Sequence, residues 1–297
     1  MNETILDGVP ELPALYRQAL GLAVRRRIGM TKAPATVPDA RHRVDHVGVD
    51  VAQLTRFQHL LGSAARDQLP SVYLHTVAFP VAMSVLARPD FPLPLLGMVH
   101  LSNEVHQVRR VSSSEKLDVV AHAENLRAHP AGTQVDLVAE VSVDGEPVWT
   151  GRSVYLARGI RLGDRGPAVR TPDRPVFAAP VPTGVWRFGA DAGRRYASVS
   201  GDWNPIHLSS VSARALGMKR AIAHGMYLAA LMVDQAVAAP SGALRWRIDF
   251  ATPVLLPGVV DTAFGTTASG TAQGRVDVVG WSRSRNRPHF TGSVRTD

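Results

Sequence analysis

Asp202 and His207 stand in one polar stretch, Ser-Gly-Asp-Trp-Asn-Pro-Ile-His, over residues 200–207. A carboxylate and an imidazole held side by side can activate a water, or take and return a proton. Ser200, Gly201, Asp202, Asn204 and Pro205 are turn formers, so the stretch predicts a loop carrying both groups. After a second turn at Gly217, His224-Gly225-Met226 opens an apolar run through Tyr227, Leu228, Leu231 and Met232. That run predicts a buried helix over 224–238. Gly225 at its start would bring free N–H groups and the positive end of the helix dipole to the loop. Taken singly, each residue has a plainer role. Asp202 suits a turn, His207 a surface or satisfied core position, and Gly225 close helix–sheet packing. Asn204 either holds a water or carboxylate, or braces the loop. His224 reads as a brace of the helix entrance, and Tyr196 and Met226 as packing. Together, at this spacing, Asp202 and His207 point to proton chemistry on a shared water.

Ser-Gly-Asp-x-Asn-Pro-Ile-His, followed by Gly-x-x-x-x-Ile-Ala-His-Gly-Met over residues 217–226, resembles the hydratase 2 motif of the MaoC-like dehydratases. These are (R)-specific enoyl-thioester hydratases, or 3-hydroxyacyl-thioester dehydratases, with the hotdog fold. The resemblance implies an α+β double hotdog: two antiparallel sheets, each wrapping a central helix, separate or joined into one. It implies reversible hydration of a trans-2-enoyl thioester to an (R)-3-hydroxyacyl thioester, as in fatty acid metabolism. It assigns catalysis to Asp202 and His207, thioester-oxygen stabilisation to Gly225, and a place in the site to Asn204. Which of Asp202 and His207 handles which proton stays open. No cofactor is implied beyond the thioester carrier. Some members place a serine nine residues after the equivalent of His224, where this chain has Val233. Two other functions use the same fold: a non-catalytic acyl-thioester-binding subunit, disfavoured by the intact Asp202 and His207, and a thioesterase.

The elements that must position these residues read as two similar units. A helix is expected from about Pro13 to Ala23, a strand from Val44 to Val49, and a helix capped by Asp50 through Leu61. Val72 to Leu86 has helical spacing, with Pro80 predicting a start or a kink. Strand patterns follow over 98–111, 116–126, 135–143 and 147–156, with Asp144-Gly145 as a hairpin turn. The second half repeats the order. Val135-Asp136-Leu137-Val138 and Pro147-Val148-Trp149-Thr150-Gly151 correspond to Val276-Asp277-Val278-Val279 and Pro288-His289-Phe290-Thr291-Gly292 at equal offsets. A half-chain repeat implies two copies of one α+β unit. The boundaries read as a degenerate unit over 1–160, a Gly-, Pro- and Arg-rich linker over 161–182, and a catalytic unit over 183–297. The first copy offers only Gly62-Ser63-Ala64-Ala65-Arg66-Asp67-Gln68-Leu69-Pro70 before its helix, with no Asp/His pair. Its expected job is to leave room for the acyl tail.

Composition bounds the partners. The chain has 297 residues, 45% of them hydrophobic and 20% charged, which suits a globular protein. It has no cysteine, which excludes disulfides, thiol nucleophiles and thiolate metal sites. His75, His100, His106 and His122 lack ligand spacing, so no metal site is expected. The absence of a transmembrane-length apolar run and of a signal-peptide pattern points to the cytoplasm. The net charge of +8 suits an anionic partner, either coenzyme A phosphates or an acidic carrier protein. Arg25-Arg26-Arg27 and the run 283–287 lack interleaved aromatics, so nucleic acid is not expected. Arg194 and Arg195 before the catalytic loop, and Lys219 and Arg220 before Ile222, are the candidate carrier-binding rim. Each alone reads more simply as a solvated charge. A homodimer is the expected assembly.

Overall fold

The computed structural model describes residues 2–27, 34–162, 176–237, 242–267 and 274–296. Alternating apolar and polar residues build the strands of the first half: β1 (Asn2–Ile5), β2 (Ala40–Val47), β3 (Met98–Gln107), β4 (Leu117–His129), β5 (Gly132–Val143) and β6 (Glu146–Arg158). The Asp144-Gly145 turn joins β5 to β6 with positive φ at both residues, 51° and 81°. Such a turn matches the twist of the flanking strands. The second half contributes β7 (Gly184–Phe188), β8 (Leu244–Phe250), β9 (Gly258–Thr267), β10 (Arg275–Ser282) and β11 (Arg287–Thr296).

All eleven strands form one sheet, in the order β1-β2-β4-β5-β6-β3-β8-β11-β10-β9-β7. Read outward from the β3–β8 seam, the two sides have matching orders, so the two expected sheets are one continuous sheet. The seam is antiparallel, from Ser102 opposite Asp249 to Gln107 opposite Leu244. The short β1 pairs with β2 in parallel at one edge. Of the expected linker, residues 163–175 lie outside the described residues.

Seven α-helices lie among the described residues. α1 (Leu12–Arg27) is longer than its sequence pattern suggested, and α2 (Val51–Leu61) is capped by Asp50, which accepts from the Ala52 and Gln53 amides. α3 (Ser71–Leu86) is buried almost all round, as its apolar composition requires. Pro80 lies inside α3 rather than at its start. The second half has α4 (Ala192–Ser200), α5 (Pro205–Leu208), α6 (Ser210–Ala215) and α7 (Gly225–Ala236). α3 packs on β2, β4, β5 and β6, α7 packs on β8 and β11, and the two helices touch. The halves are also tied at the start of α3. The indole N–H groups of Trp149 on β6 and Trp246 on β8 both donate to Ser71 Oγ, at 3.3 and 2.9 Å.

Candidate active site

α4 ends at Gly201, a left-handed residue with φ 75° that a side chain would strain. The chain then reverses through Asp202. Asn204 caps α5, its Oδ1 accepting from the Ile206 amide at 3.3 Å. Pro205 follows at the first helical position, where its missing N–H costs nothing. His207 therefore sits on a four-residue helix, not on the expected open loop, and Ser200 belongs to α4. The turn formers act here as helix caps, because the segment must reverse tightly against α4. Gly193 lets that happen: a Cβ there would overlap the His207 carbonyl.

The Asp202 carboxylate is oriented by two donors. Its Oδ1 accepts from the Asn204 amide at 3.2 Å and from the Tyr16 hydroxyl at 2.8 Å. Tyr16 comes from α1, in a stretch whose sequence reads as a lead-in, and no local pattern marks it. Burial first, and the Asp202 charge second, raise its pKa, so it stays a donor. Tyr16→Phe removes a hydrogen bond to a charged group while keeping the ring. Such bonds contribute about 1.5–3 kcal/mol. Turnover should fall roughly tenfold to a hundredfold and the melting temperature by several degrees, and steady-state kinetics beside a thermal melt check this.

His207 Nδ1 lies 2.8 Å from the Ile222 carbonyl oxygen. A carbonyl only accepts, so Nδ1 carries the proton and Nε2 the lone pair. Burial lowers the His207 pKa below its ordinary 6.5, although Asp202 and the Ile222 carbonyl both oppose the shift. The ring is thus a neutral base with one defined basic nitrogen. His224 stacks on it, ring centroids 3.7 Å apart, and its Nε2 donates to the Asp202 main-chain oxygen at 3.0 Å. Burial pushes His224 down to about 3, so it stays uncharged. His224 braces the segments that carry Asp202 and His207. Tyr196, buried in α4, stacks on Tyr227 and lies tilted against His224. Donor atoms of Asp202, His207 and His224 lie within 4.8 Å of one another, close enough to consider a cation. Two of the four ring nitrogens are committed as donors to main-chain carbonyls, which suits proton handling better than ligation.

Gly225 is the first residue of α7, directly after His224, and no side chain caps this end. A Cβ at Gly225 would come 2.8 Å from the Phe250 ring of β8. Glycine thus serves close packing here, with its N–H at the uncapped start of α7.

The four rim candidates fall differently. Arg194 is exposed and donates to the Leu208 carbonyl at 2.8 Å, so it leans on the helix that carries His207. Arg195 is exposed, and its charge acts on Tyr227. Lys219 is exposed, with its carbonyl accepting from Arg214, and Arg220 is half-buried.

The first half shows what this arrangement lacks elsewhere. Gly62 ends α2 as Gly201 ends α4, and Ser63 then stands where Asp202 does. A cavity of about 320 Å³ at the start of α3 is lined by Ser63, Arg66, Gln68, Val233 and Asp234 among others, with no histidine. Asp234 is held by Ser63 Oγ at 2.7 Å. Among the described residues, the second half alone brings a carboxylate and two imidazoles together.

One sheet doubled from two helix-and-strand units, with the Asp202, His207 and His224 cluster in the second, is the architecture of the double-hotdog proteins. Residues 168–281 match the family model described as MaoC like domain. Over 261 residues the chain is 33% identical to 3-hydroxyacyl-thioester dehydratase X of Mycobacterium tuberculosis, covering 87% of this chain and 90% of that protein. A crystal structure of HtdX from the same organism superposes with a TM-score of 0.73 at 30% identity, covering 86% of this chain and 98% of that one. A MaoC-like dehydratase from Phytophthora capsici shares the fold, with a TM-score of 0.66 at 18% identity, over 89% of this chain and 97% of that one. The chain belongs to the MaoC-like dehydratase family.

Proposed function

We propose that the protein is a hydro-lyase that interconverts trans-2-enoyl and (R)-3-hydroxyacyl thioesters. One observation carries the reading: Asp202 is ionisable and doubly held, beside a His207 whose basic nitrogen is defined by the Ile222 carbonyl. In hydration, a water held between Asp202 and His207 attacks C3 and gives a proton to His207 Nε2. The thioester oxygen gains negative charge and takes the Gly225 N–H at the start of α7, where the dipole favours it. The imidazolium then returns its proton to C2. Atoms balance: water adds across the double bond and both residues are restored. Asp202 orients the water and stabilises the transient cation. Dehydration runs through the same steps in reverse.

The division into a degenerate unit over 1–160, a linker over 161–182 and a catalytic unit over 183–297 belongs to this reading, and the matching strand orders support it. Residence in the cytoplasm and a homodimeric state are further parts of the proposal. No helix among the described residues is long and apolar enough to cross a membrane. Incubation with crotonyl-CoA separates the functional readings. Loss of enoyl absorbance supports a hydratase, release of free thiol would mean a thioesterase, and neither would mean a binding subunit.

The carrier, coenzyme A or an acyl carrier protein, is read as docking on Arg194, Arg195, Lys219 and Arg220. Arg offers a bidentate fork and Lys a compact charge for phosphate or carboxylate groups. Exposed charge is screened over about 10 Å at 0.1 M salt. KM for the CoA substrate should therefore rise with ionic strength, and rise in the Lys219→Ala, Arg220→Ala double variant, while saturated turnover changes less. A KM indifferent to both treatments would remove the rim.

A further inference from the structure

A second group of buried polar side chains lies beside the site and takes no part in the chemistry above. His75 on α3 and Asn103 on β3 are 7% and 0% exposed. Asn103 Nδ2 donates to Ser153 Oγ at 2.7 Å and approaches His75 Nδ1 at 3.5 Å. An amide nitrogen only donates, so His75 Nδ1 holds the lone pair and Nε2 the proton. His75 Nε2 has no hydrogen-bond partner, and neither has Asn103 Oδ1. The cluster thus keeps one buried donor and one buried acceptor unpaired. Native interiors rarely tolerate either without a reason.

The strand register puts these groups inside. His100 pairs with Tyr155 and Asn103 with Ser153 across β3 and β6, with a register shift between His100 and Ser102. The shift lets residues three apart share the face of Tyr155 and Ser153. His100 stacks on Tyr155 with centroids 4.6 Å apart, and approaches Phe250 at 5.1 Å. Phe250 is the ring that abuts Gly225. These neighbours lead from Gly225 through Phe250 to His100, which shares its strand face with Asn103, the partner of His75. The Asp202 charge acts on His75, His100 and Tyr155, which places all three near the reacting centre. Burial pushes His75 down to about 4, so its ring is uncharged near neutral pH.

We propose that His75 and Asn103 bind a hydroxyl on the acyl chain, so that the preferred thioesters carry an oxygen beyond the reacting carbons. The inference rests on the thioester reading and adds the class of acyl group. A hydroxyl both accepts, from His75 Nε2–H, and donates, to Asn103 Oδ1. A plain alkyl chain would leave both unpaired, and sites built for a hydroxyl discriminate strongly against analogues lacking it.

Calorimetric binding of saturated acyl-CoAs tests this without turnover. Octanoyl-CoA would be compared with its monohydroxy derivatives, the hydroxyl moved along the chain from C5 to the terminus. At least one derivative should bind roughly tenfold to a hundredfold more tightly than octanoyl-CoA. His75→Phe, which keeps a ring beside Phe79 and Trp149, should bring that ratio close to one, and Asn103→Leu should do the same. Equal or weaker binding of every hydroxylated chain by the wild-type protein overturns the inference, as does a ratio that survives His75→Phe. The wild-type comparison stands even if Asn103→Leu does not fold. Failure to hydrate crotonyl-CoA is a separate result and bears on the reaction, not on this pocket.

Discussion

Asp202→Ala and His207→Ala should each lower turnover by about 10²–10⁴, the usual contribution of a positioned general acid–base group. The double variant should be little worse than the poorer single one, because both groups act on one water. The hydrogen bonds make the two losses different in kind. Without His207 no base remains at the Ile222-oriented position. Without Asp202 the Tyr16 hydroxyl and the Asn204 amide lose their shared acceptor. The pH profile separates them. Burial lowers the His207 pKa, and Asp202 works against that shift. A base works only when unprotonated, so kcat/KM should rise with pH through an inflection below 6.5 and then level. In Asp202→Asn the opposing charge is gone, so the residual activity should show that inflection at still lower pH. An inflection that stays put in Asp202→Asn, or near-normal turnover in either folded alanine variant, would remove the central claim.

The second large effect is expected at a residue with no chemistry. Gly193→Ala adds one methyl group inside α4, where it would overlap the His207 carbonyl oxygen. The overlapping atom belongs to the main chain, so no rotamer change relieves it. Either α4 or the catalytic segment must move. Overpacking of this kind typically costs about 1–3 kcal/mol, and a displacement of about 1 Å at a reacting group can cost a hundredfold in rate. Gly193→Ala should therefore lose both stability and at least that much activity. Gly265→Ala is the control, since nothing lies within 4 Å of its added Cβ. Melting temperature and crotonyl-CoA turnover on both variants decide the matter. A Gly193→Ala protein as active and stable as the Gly265→Ala protein would show that α4 need not pack so closely.

Much of the architecture was legible because it is written in local periodicity. The alternation in 135–143, the helical spacing of 72–86, the Asp144-Gly145 turn and the Asp50 cap are short-range signals. Each recurs in the structure near its expected place. The family followed from residue types at fixed spacing around Asp202, His207 and Gly225. The boundary of α1 and the helix carrying His207 were not legible, and the choice between the two places open to Pro80 was not either. Capping and proline effects fix a tendency, and tertiary packing chooses among its outcomes.

Sequence by itself determined that a carboxylate, an imidazole and a helix-starting glycine occur together in one half of a duplicated chain. Tertiary structure alone decided what surrounds them. Tyr16 reaches Asp202 across 186 positions of sequence. Gly193 is glycine because of an atom of His207, and Gly225 because of the Phe250 ring. His100 and Asn103 share a face because a register shift in β3 turns residues three apart to one side, and His75 meets Asn103 only because α3 docks there. Such contacts leave no local trace, because their partners are set by sheet order and helix docking, not by neighbours along the chain.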